Sequence, residues 1–228
     1  MGTVMLDAAV TIGKIPQHYF QAIGSGTGGI AAWEAAMRLR ADGRFGDYLP
    51  RLHLAQNLPF APMYSAWKEG RRELIKEIDL VDAKARIEVM YANVLSNRVP
   101  PYGIPGGVFD ALIDTNGTIY GIENDEAKAA KELFESVEGI DILPPSAVGV
   151  ASLIKAVESG EVGKDDIILL NIAGGGIQRL KEDYHLTKIK PMANAPGPDI
   201  PLESIIDLTK FAEIPDDEDE CLMDVPTI

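Results

Sequence analysis

The chain has 228 residues, of which 46% are hydrophobic and 25% charged, and this balance excludes wholesale disorder. Its 35 acidic residues outnumber the 21 basic ones, and the formal net charge of -14 disfavours nucleic acid or an anionic membrane surface as a partner. A single cysteine, Cys221, excludes an intramolecular disulfide. The start of the chain has no basic leader and no apolar run is long enough for a membrane span, which predicts a cytoplasmic protein.

The order of the predicted elements indicates an α/β protein. In chain order they are a helix over 3–14, a strand at 19–23, a helix at 29–40, a strand at 52–55, a helix at 59–78, a long Gly/Pro-rich loop at 93–118 with a short helix at 108–113, a strand at 119–122, helices at 124–137 and 144–159, and a strand at 167–172. This alternation predicts a parallel or mixed sheet with helices on both faces. The last strand is continuously apolar, which predicts burial on both of its faces.

Acidic residues concentrate at the end of the chain. After Lys210 there is no base, whereas seven acids follow: Glu213, Asp216, Asp217, Glu218, Asp219, Glu220 and Asp224. Such a composition is typical of a solvated segment. We therefore predict one α/β domain over 1–211 and an acidic, disordered tail over 212–228. A tail that binds a partner is the alternative.

A cluster of small residues follows the first predicted strand and opens a helix. Its members are Gly24, Ser25, Gly26, Thr27, Gly28 and Gly29. Glycines let backbone N–H groups approach a ligand, and the start of a helix carries a partial positive charge. No Lys or Arg lies between Lys14 and Arg38, so backbone amides and hydroxyls would hold a bound phosphate. The alternative is a tight strand-to-helix turn that binds nothing.

The same cluster leaves a dinucleotide open. Gly24, Gly26 and Gly29 fit G-x-G-x-x-G, the pattern of NAD(P)- and FAD-binding oxidoreductases. That pattern needs an acid at the end of the next strand, which here ends in Gln56 and Asn57, so this interpretation is weakened. A second glycine cluster, 174–176, follows the last strand. It predicts either a ligand held at two points or a turn before a helix.

Six blocks of sequence occur in a characteristic order. They are Gln21–Ile30, Leu58–Met63, Tyr102–Gly107, Ile119–Ile122, Ile142–Ala147 and Leu169–Gly176. Together they resemble the C-terminal part of fold-type II pyridoxal-phosphate enzymes, the group of threonine synthase, tryptophan synthase β and cysteine synthase. The resemblance is closest to the archaeal cysteate synthase family, and it covers about residues 1 to 210.

The resemblance implies a cofactor, a reaction and a site. The cofactor would be pyridoxal 5'-phosphate, with its phosphate at Gly24–Gly29 and its pyridine nitrogen facing Ala173, where the family usually carries Thr or Ser. The reaction would exchange the phosphate of O-phospho-L-serine for sulfite, giving L-cysteate for coenzyme M synthesis. A threonine-synthase-like lyase is the alternative within the group.

The family's Schiff-base lysine lies in a Ser-Phe-Lys-Asp/Glu-Arg block that this sequence lacks. No residue is therefore assigned as catalytic, and the fold is expected to be incomplete relative to the family. We expect the chain alone not to catalyse the replacement. The complement would be a missing N-terminal half, a separately encoded partner for which this chain is a non-catalytic module, or a homo-oligomer.

Three further residues are weaker candidates for a substrate pocket. Tyr102 and Gly106 lie in the Pro/Gly-rich loop, where a rigid connection is the alternative, and Glu123 follows a strand, where a solvated acid at a helix start is the alternative. A metal site is not expected, because the histidines and the cysteine (His18, His53, His185 and Cys221) show no metal-ligand spacing.

Overall fold

The computed structural model describes residues 1–187, 201 and 203. The chain divides into two compact units, Met1–Asp183 and Tyr184–Ile228, and all the elements below belong to the first. The predicted tail over 212–228 and the domain boundary before it lie outside the described residues. In the part of the chain that the structure describes, no helix is both long and apolar enough to cross a membrane.

Four parallel strands form one sheet. They are β1 (His18–Ala22), β2 (Arg51–Asn57), β3 (Thr118–Ile122) and β4 (Ile168–Leu170), in the spatial order β3-β2-β1-β4. In the register, Phe20 of β1 lies opposite His53 of β2 and Leu170 of β4. Because all four strands are parallel, their carboxyl ends meet at one edge of the sheet, where α/β proteins bind their ligands.

Helices cover both faces of this sheet. They are α1 (Thr3–Ile12), α2 (Thr27–Asp42), α3 (Pro62–Lys68), α4 (Lys76–Asp79), α5 (Ala83–Glu88), α6 (Val108–Asp114), α7 (Asn124–Glu138), α8 (Pro144–Glu158) and α9 (Ile177–Asp183), with a 3-10 turn at Asn93–Leu95. One face packs Leu52 and Leu54 against α1, α2, α3 and α6, and the other packs Ala55 and Ile122 against α7 and α8. The predicted α/β class with helices on both faces is confirmed.

Alternation along β1 explains the two cores. Tyr19 and Ile23 point into the core shared with α2, whereas Ala22 packs with α8. This is the period of two that a strand imposes on its side chains.

Two predicted elements differ from the structure. The helix predicted over 59–78 is broken, because α3 ends at Lys68 and Gly70 adopts the left-handed conformation at φ 68°. The last strand is shorter than predicted and is half-buried rather than buried on both faces. Among the described strands β4 pairs with β1 alone, so it lies at an edge of the sheet, where an apolar sequence does not ensure burial.

Candidate cofactor-phosphate site

The glycine cluster connects β1 directly to α2. The sheet ladder continues to Ile23, whose N–H donates to the carbonyl of Ala55 at 2.8 Å, and α2 begins at Thr27. Gly26 lies between them with φ 82°, a left-handed conformation that side chains disfavour. A Cβ there would also lie only 2.4 Å from Cγ2 of Val108. Both the conformation and the close approach therefore require glycine at position 26.

The first turn of α2 presents unused backbone donors. The N–H groups of Gly28 and Gly29 donate to no acceptor within the described residues, whereas the N–H of Ile30 bonds the carbonyl of Gly26 at 3.1 Å. These are the donors that every helix start leaves without an intrahelical partner. Gly28 is half-buried and therefore reachable by a ligand.

Two hydroxyls accompany these amides. Ser25 Oγ and Thr27 Oγ1 are 2.9 Å apart, and both side chains are half-buried. The N–H of Thr27 makes a long bond of 3.4 Å to Ser25 Oγ. A hydroxyl can rotate to donate to an anion. Two amides, two hydroxyls and the helix dipole give this loop the chemistry of a phosphate-binding site.

Neighbouring elements pack closely against the glycines of the loop. A Cβ on Gly24 would lie 3.2 Å from the backbone carbon of Leu95, and one on Gly29 would lie 2.9 Å from Cδ2 of Leu54. A Cβ on Gly28 would lie 2.4 Å from Nε2 of Gln21. The glycines therefore serve both ligand access and the seating of the loop.

Two asparagines hold the segment that borders Gly24. Asn57, at the end of β2, donates to the carbonyl of Ile122 at 2.9 Å and accepts the N–H of Ala92 at 2.8 Å. Asn124 accepts the N–H of Tyr91 at 2.9 Å. This anchoring role was not predicted, although the sequence carries a signal for it: an amide side chain at the end of β2 and another shortly after β3. β2 ends in Gln56 and Asn57, so no acid stands at its end to bind the ribose of a dinucleotide.

The second glycine cluster packs on the connection between α7 and α8. The N–H of Gly174 donates to Ser146 Oγ at 3.0 Å, and the N–H of Gly176 donates to the carbonyl of Asp141 at 2.7 Å. A Cβ on Gly175 would lie 2.4 Å from that same carbonyl oxygen. Close backbone packing therefore accounts for these glycines. Ala173, just before them, is exposed at the carboxyl edge of the sheet.

The three weaker candidates have structural roles. Tyr102 is buried in the core, its hydroxyl donates to the carbonyl of Arg71 at 2.9 Å, and burial raises its pKa well above the usual range. Gly106 lies in an exposed turn at φ 73°. Glu123 is exposed at the start of α7, where its N–H donates to Glu126 Oε2 at 2.8 Å. Their contribution to a substrate pocket stays a prediction.

The described residues contain no cluster of His, Cys, Asp and Glu side chains that could hold a metal ion. The site is instead a set of neutral donors at the carboxyl edge of a parallel sheet, with helices on both sides.

This fold and this loop define a class of protein. Residues 1–174 match the family described as "Pyridoxal-phosphate dependent enzyme", and the chain belongs to that family. Solved structures with a similar fold include serine racemase from Dictyostelium discoideum (TM-score 0.54, 18% identity, 77% of this chain and 48% of that one). Another is the processed form of threonine deaminase isoform 2 from Solanum lycopersicum (TM-score 0.54, 14% identity, 93% of this chain and 49% of that one).

Curated relatives are more specific. The chain is 68% identical over 205 residues to the cysteate synthases of Methanosarcina acetivorans and Methanosarcina barkeri, which covers 90% of this chain and 49% of each relative. It is 62% identical to the cysteate synthase of Methanocella paludicola, over 90% of this chain and 48% of the relative. The chain thus spans about half the length of these relatives. The resemblance inferred from the six sequence blocks is confirmed.

Proposed function

We propose that this chain binds the phosphate of pyridoxal 5'-phosphate at Gly24–Gly29, as part of an enzyme that replaces the phosphate of O-phospho-L-serine with sulfite to form L-cysteate. The high identity to cysteate synthases supports the reaction. The observation that carries the site is the pair of unused N–H groups of Gly28 and Gly29 beside two hydroxyls.

The donor set fits a phosphate ester. Backbone N–H groups at a helix start and nearby hydroxyls supply hydrogen bonds to its oxygens, and the helix dipole favours its negative charge. Gly26 lets the chain turn into α2 without a side chain over the loop. No lysine or arginine of the loop itself is needed.

When bound, the cofactor supplies an electron sink for the reaction at the substrate's α-carbon. The residues of this chain would hold it in position: the Gly28 and Gly29 amides would donate to its phosphate, and Ser25 and Thr27 would donate through their hydroxyls. Ala173, which the resemblance places at the pyridine-facing position, would present only a methyl group, so its side chain could not donate a hydrogen bond to the ring nitrogen. We further propose a cytoplasmic enzyme whose site is completed by residues outside this chain or by a second copy.

Placing a carboxylate in the loop tests the site. Thr27→Asp is expected to weaken binding of pyridoxine 5'-phosphate by roughly tenfold or more, because like charges repel at contact distance. Pyridoxine 5'-phosphate has no aldehyde and cannot react with surface lysines, so calorimetry reports the phosphate site. Thr11→Asp adds the same charge on the exposed side of α1 and should bind like the wild type. Equal affinities for Thr27→Asp and Thr11→Asp would exclude the site.

The substrate assignment has a separate test. Phosphate release from O-phospho-L-serine by the protein that contains this chain should require sulfite and should yield cysteate. Release that proceeds equally well without sulfite would favour the threonine-synthase-like lyase instead. Chromatography of the amino-acid product distinguishes the two.

A further inference from the structure

Three polar side chains next to the glycine cluster are linked in series by hydrogen bonds. Asn171, just after β4, donates through Nδ2 to the hydroxyl of Tyr19 at 3.2 Å. The Tyr19 hydroxyl in turn donates to Oε1 of Gln21 at 2.9 Å. Tyr19 and Gln21 are two residues apart on β1, so their side chains share the face of the sheet that α2 covers. The hydrogen-bonded series thus runs from Asn171, at the end of β4, to Gln21, near the end of β1 and just before the glycine cluster.

The groups involved determine which one donates in each of these two hydrogen bonds. The phenolic hydroxyl has one proton, which goes to Gln21, so the bond from Asn171 must be accepted. Tyr19 is only 1% exposed, and burial raises its pKa to about 12, although the bond from Asn171 offsets part of that rise. A buried hydroxyl without partners would be costly, and this one makes two hydrogen bonds. The bond from Asn171 links β4 to β1.

Gln21, the last member of this hydrogen-bonded series, packs against the glycine cluster. The amide of Gln21 lies over Gly28, where a Cβ would fall 2.4 Å from Nε2 and 2.5 Å from Oε1. The other close neighbours of the loop glycines, Val108, Leu54 and Leu95, contribute apolar side chains or backbone. Gln21 is thus the polar side chain among these neighbours. Its Oε1 accepts from the Tyr19 hydroxyl, which accepts in turn from Asn171, two residues before Ala173.

We propose that Asn171, Tyr19 and Gln21 are positioning residues that hold the first turn of α2 in register with the end of β4. The phosphate group and the ring of one cofactor would then meet the two strand ends at a fixed separation. This inference rests on the proposed phosphate site. The N–H of Gly28 has no acceptor among the described residues. The direction in which this N–H points therefore depends on the position of the first turn of α2, and Gln21 packs against that turn.

The test separates positioning from simple stability. Tyr19→Phe keeps the ring in the core and removes the hydroxyl, and Gln21→Met removes the amide at similar length. For each variant, calorimetry gives the affinity for pyridoxine 5'-phosphate and for pyridoxine. A general loss of stability would lower the affinity for both ligands alike, whereas a misplaced first turn of α2 would lower only the affinity for the phosphorylated ligand. The ratio of the two affinities is expected to fall roughly fivefold, the equivalent of one hydrogen bond.

Tyr48→Phe is the matched control, since it also removes a tyrosine hydroxyl that donates a hydrogen bond, in this case to the backbone carbonyl of Ile15. Its ratio should equal that of the wild type. An unchanged ratio in Tyr19→Phe and Gln21→Met, with a wild type that prefers the phosphorylated ligand, would overturn the positioning role alone. A wild type without that preference would overturn the proposed site and the positioning role together.

Discussion

Replacing Asp79 with alanine is expected to lower the free energy of unfolding by about 3–5 kcal/mol, the cost of leaving a buried charge without its partner. The Asp79 side chain is 0% exposed. Its two oxygens accept from the guanidinium of Arg71 at 2.8 and 2.9 Å, and one also accepts the N–H of Ile75 at 2.7 Å. Removal of the carboxylate would leave Arg71, which is 20% exposed, with the exposed carboxylate of Glu69 and the backbone carbonyl of Glu73 as its remaining partners among the described residues.

The pair is ionised in the folded protein. Burial on its own would raise the pKa of Asp79, but the hydrogen bonds from Arg71 and from Ile75 outweigh it, so the net pKa lies below its ordinary value. The carboxylate therefore stays charged at neutral pH. It holds Arg71 in place, and the Arg71 carbonyl accepts the hydroxyl of Tyr102.

Urea denaturation followed by circular dichroism measures this loss. Asp125→Ala is the control, because Asp125 pairs with Lys128 on an exposed helix surface and its side chain is 94% exposed. Such surface pairs contribute at most about 1 kcal/mol. A loss for Asp79→Ala no larger than that for Asp125→Ala would show that the buried pair does not stabilise the fold.

The sequence predicted the elements that have strong local signals. Helix α8 was placed within one residue of its observed bounds, because it begins at Pro144 and carries an apolar stripe. The glycine cluster was placed correctly between a strand and a helix, since Gly and hydroxyl residues there leave few alternatives. The break in the helix predicted over 59–78 was missed because Gly70 was the only local signal and the surrounding residues favour helix.

The surroundings of the loop could not be predicted, because they are nonlocal. Leu95 and Val108 reach Gly24 and Gly26 from segments that lie more than seventy residues away in the chain. The hydrogen bond between Asn171 and Tyr19 joins residues that are 152 positions apart in the sequence, at the first and last strands of the sheet in chain order. Periodicity shows which face a residue occupies, but the partner across that face is decided by the strand order and the register. The strand order also made β4 an edge strand, despite its apolar sequence.

A buried histidine on the opposite face of the sheet from α2 has a measurable consequence for stability. His53 is 0% exposed, and its ring stacks on Phe20 at 4.1 Å between centroids. Its Nε2 lies 2.9 Å from Nδ1 of His18 and its Nδ1 lies 2.9 Å from the hydroxyl of Tyr120. A neutral ring satisfies both contacts, since one ring nitrogen donates a hydrogen bond and the other accepts one.

Burial lowers the pKa of His53 to about 3, with further lowering by the charge of Arg51 and by His18. The unfolded chain binds a proton at this residue near pH 6.5, whereas the folded protein does not until about pH 3. Below pH 6.5 the unfolded state therefore binds more protons, and stability falls as the pH falls. Between pH 7 and pH 5 this one residue is expected to remove about 2 kcal/mol from the free energy of unfolding.

The measurement is urea denaturation at pH 7 and pH 5 for the wild type and for His53→Gln, which keeps an amide donor and acceptor but does not titrate. The loss between the two pH values should be about 2 kcal/mol smaller in His53→Gln, even if that variant is less stable at both. His185→Gln, which replaces an exposed histidine, should keep the wild-type pH dependence. Since carboxylates titrate alike in all three proteins, identical pH dependence in wild type and His53→Gln would show that a proton reaches the His53 ring without unfolding.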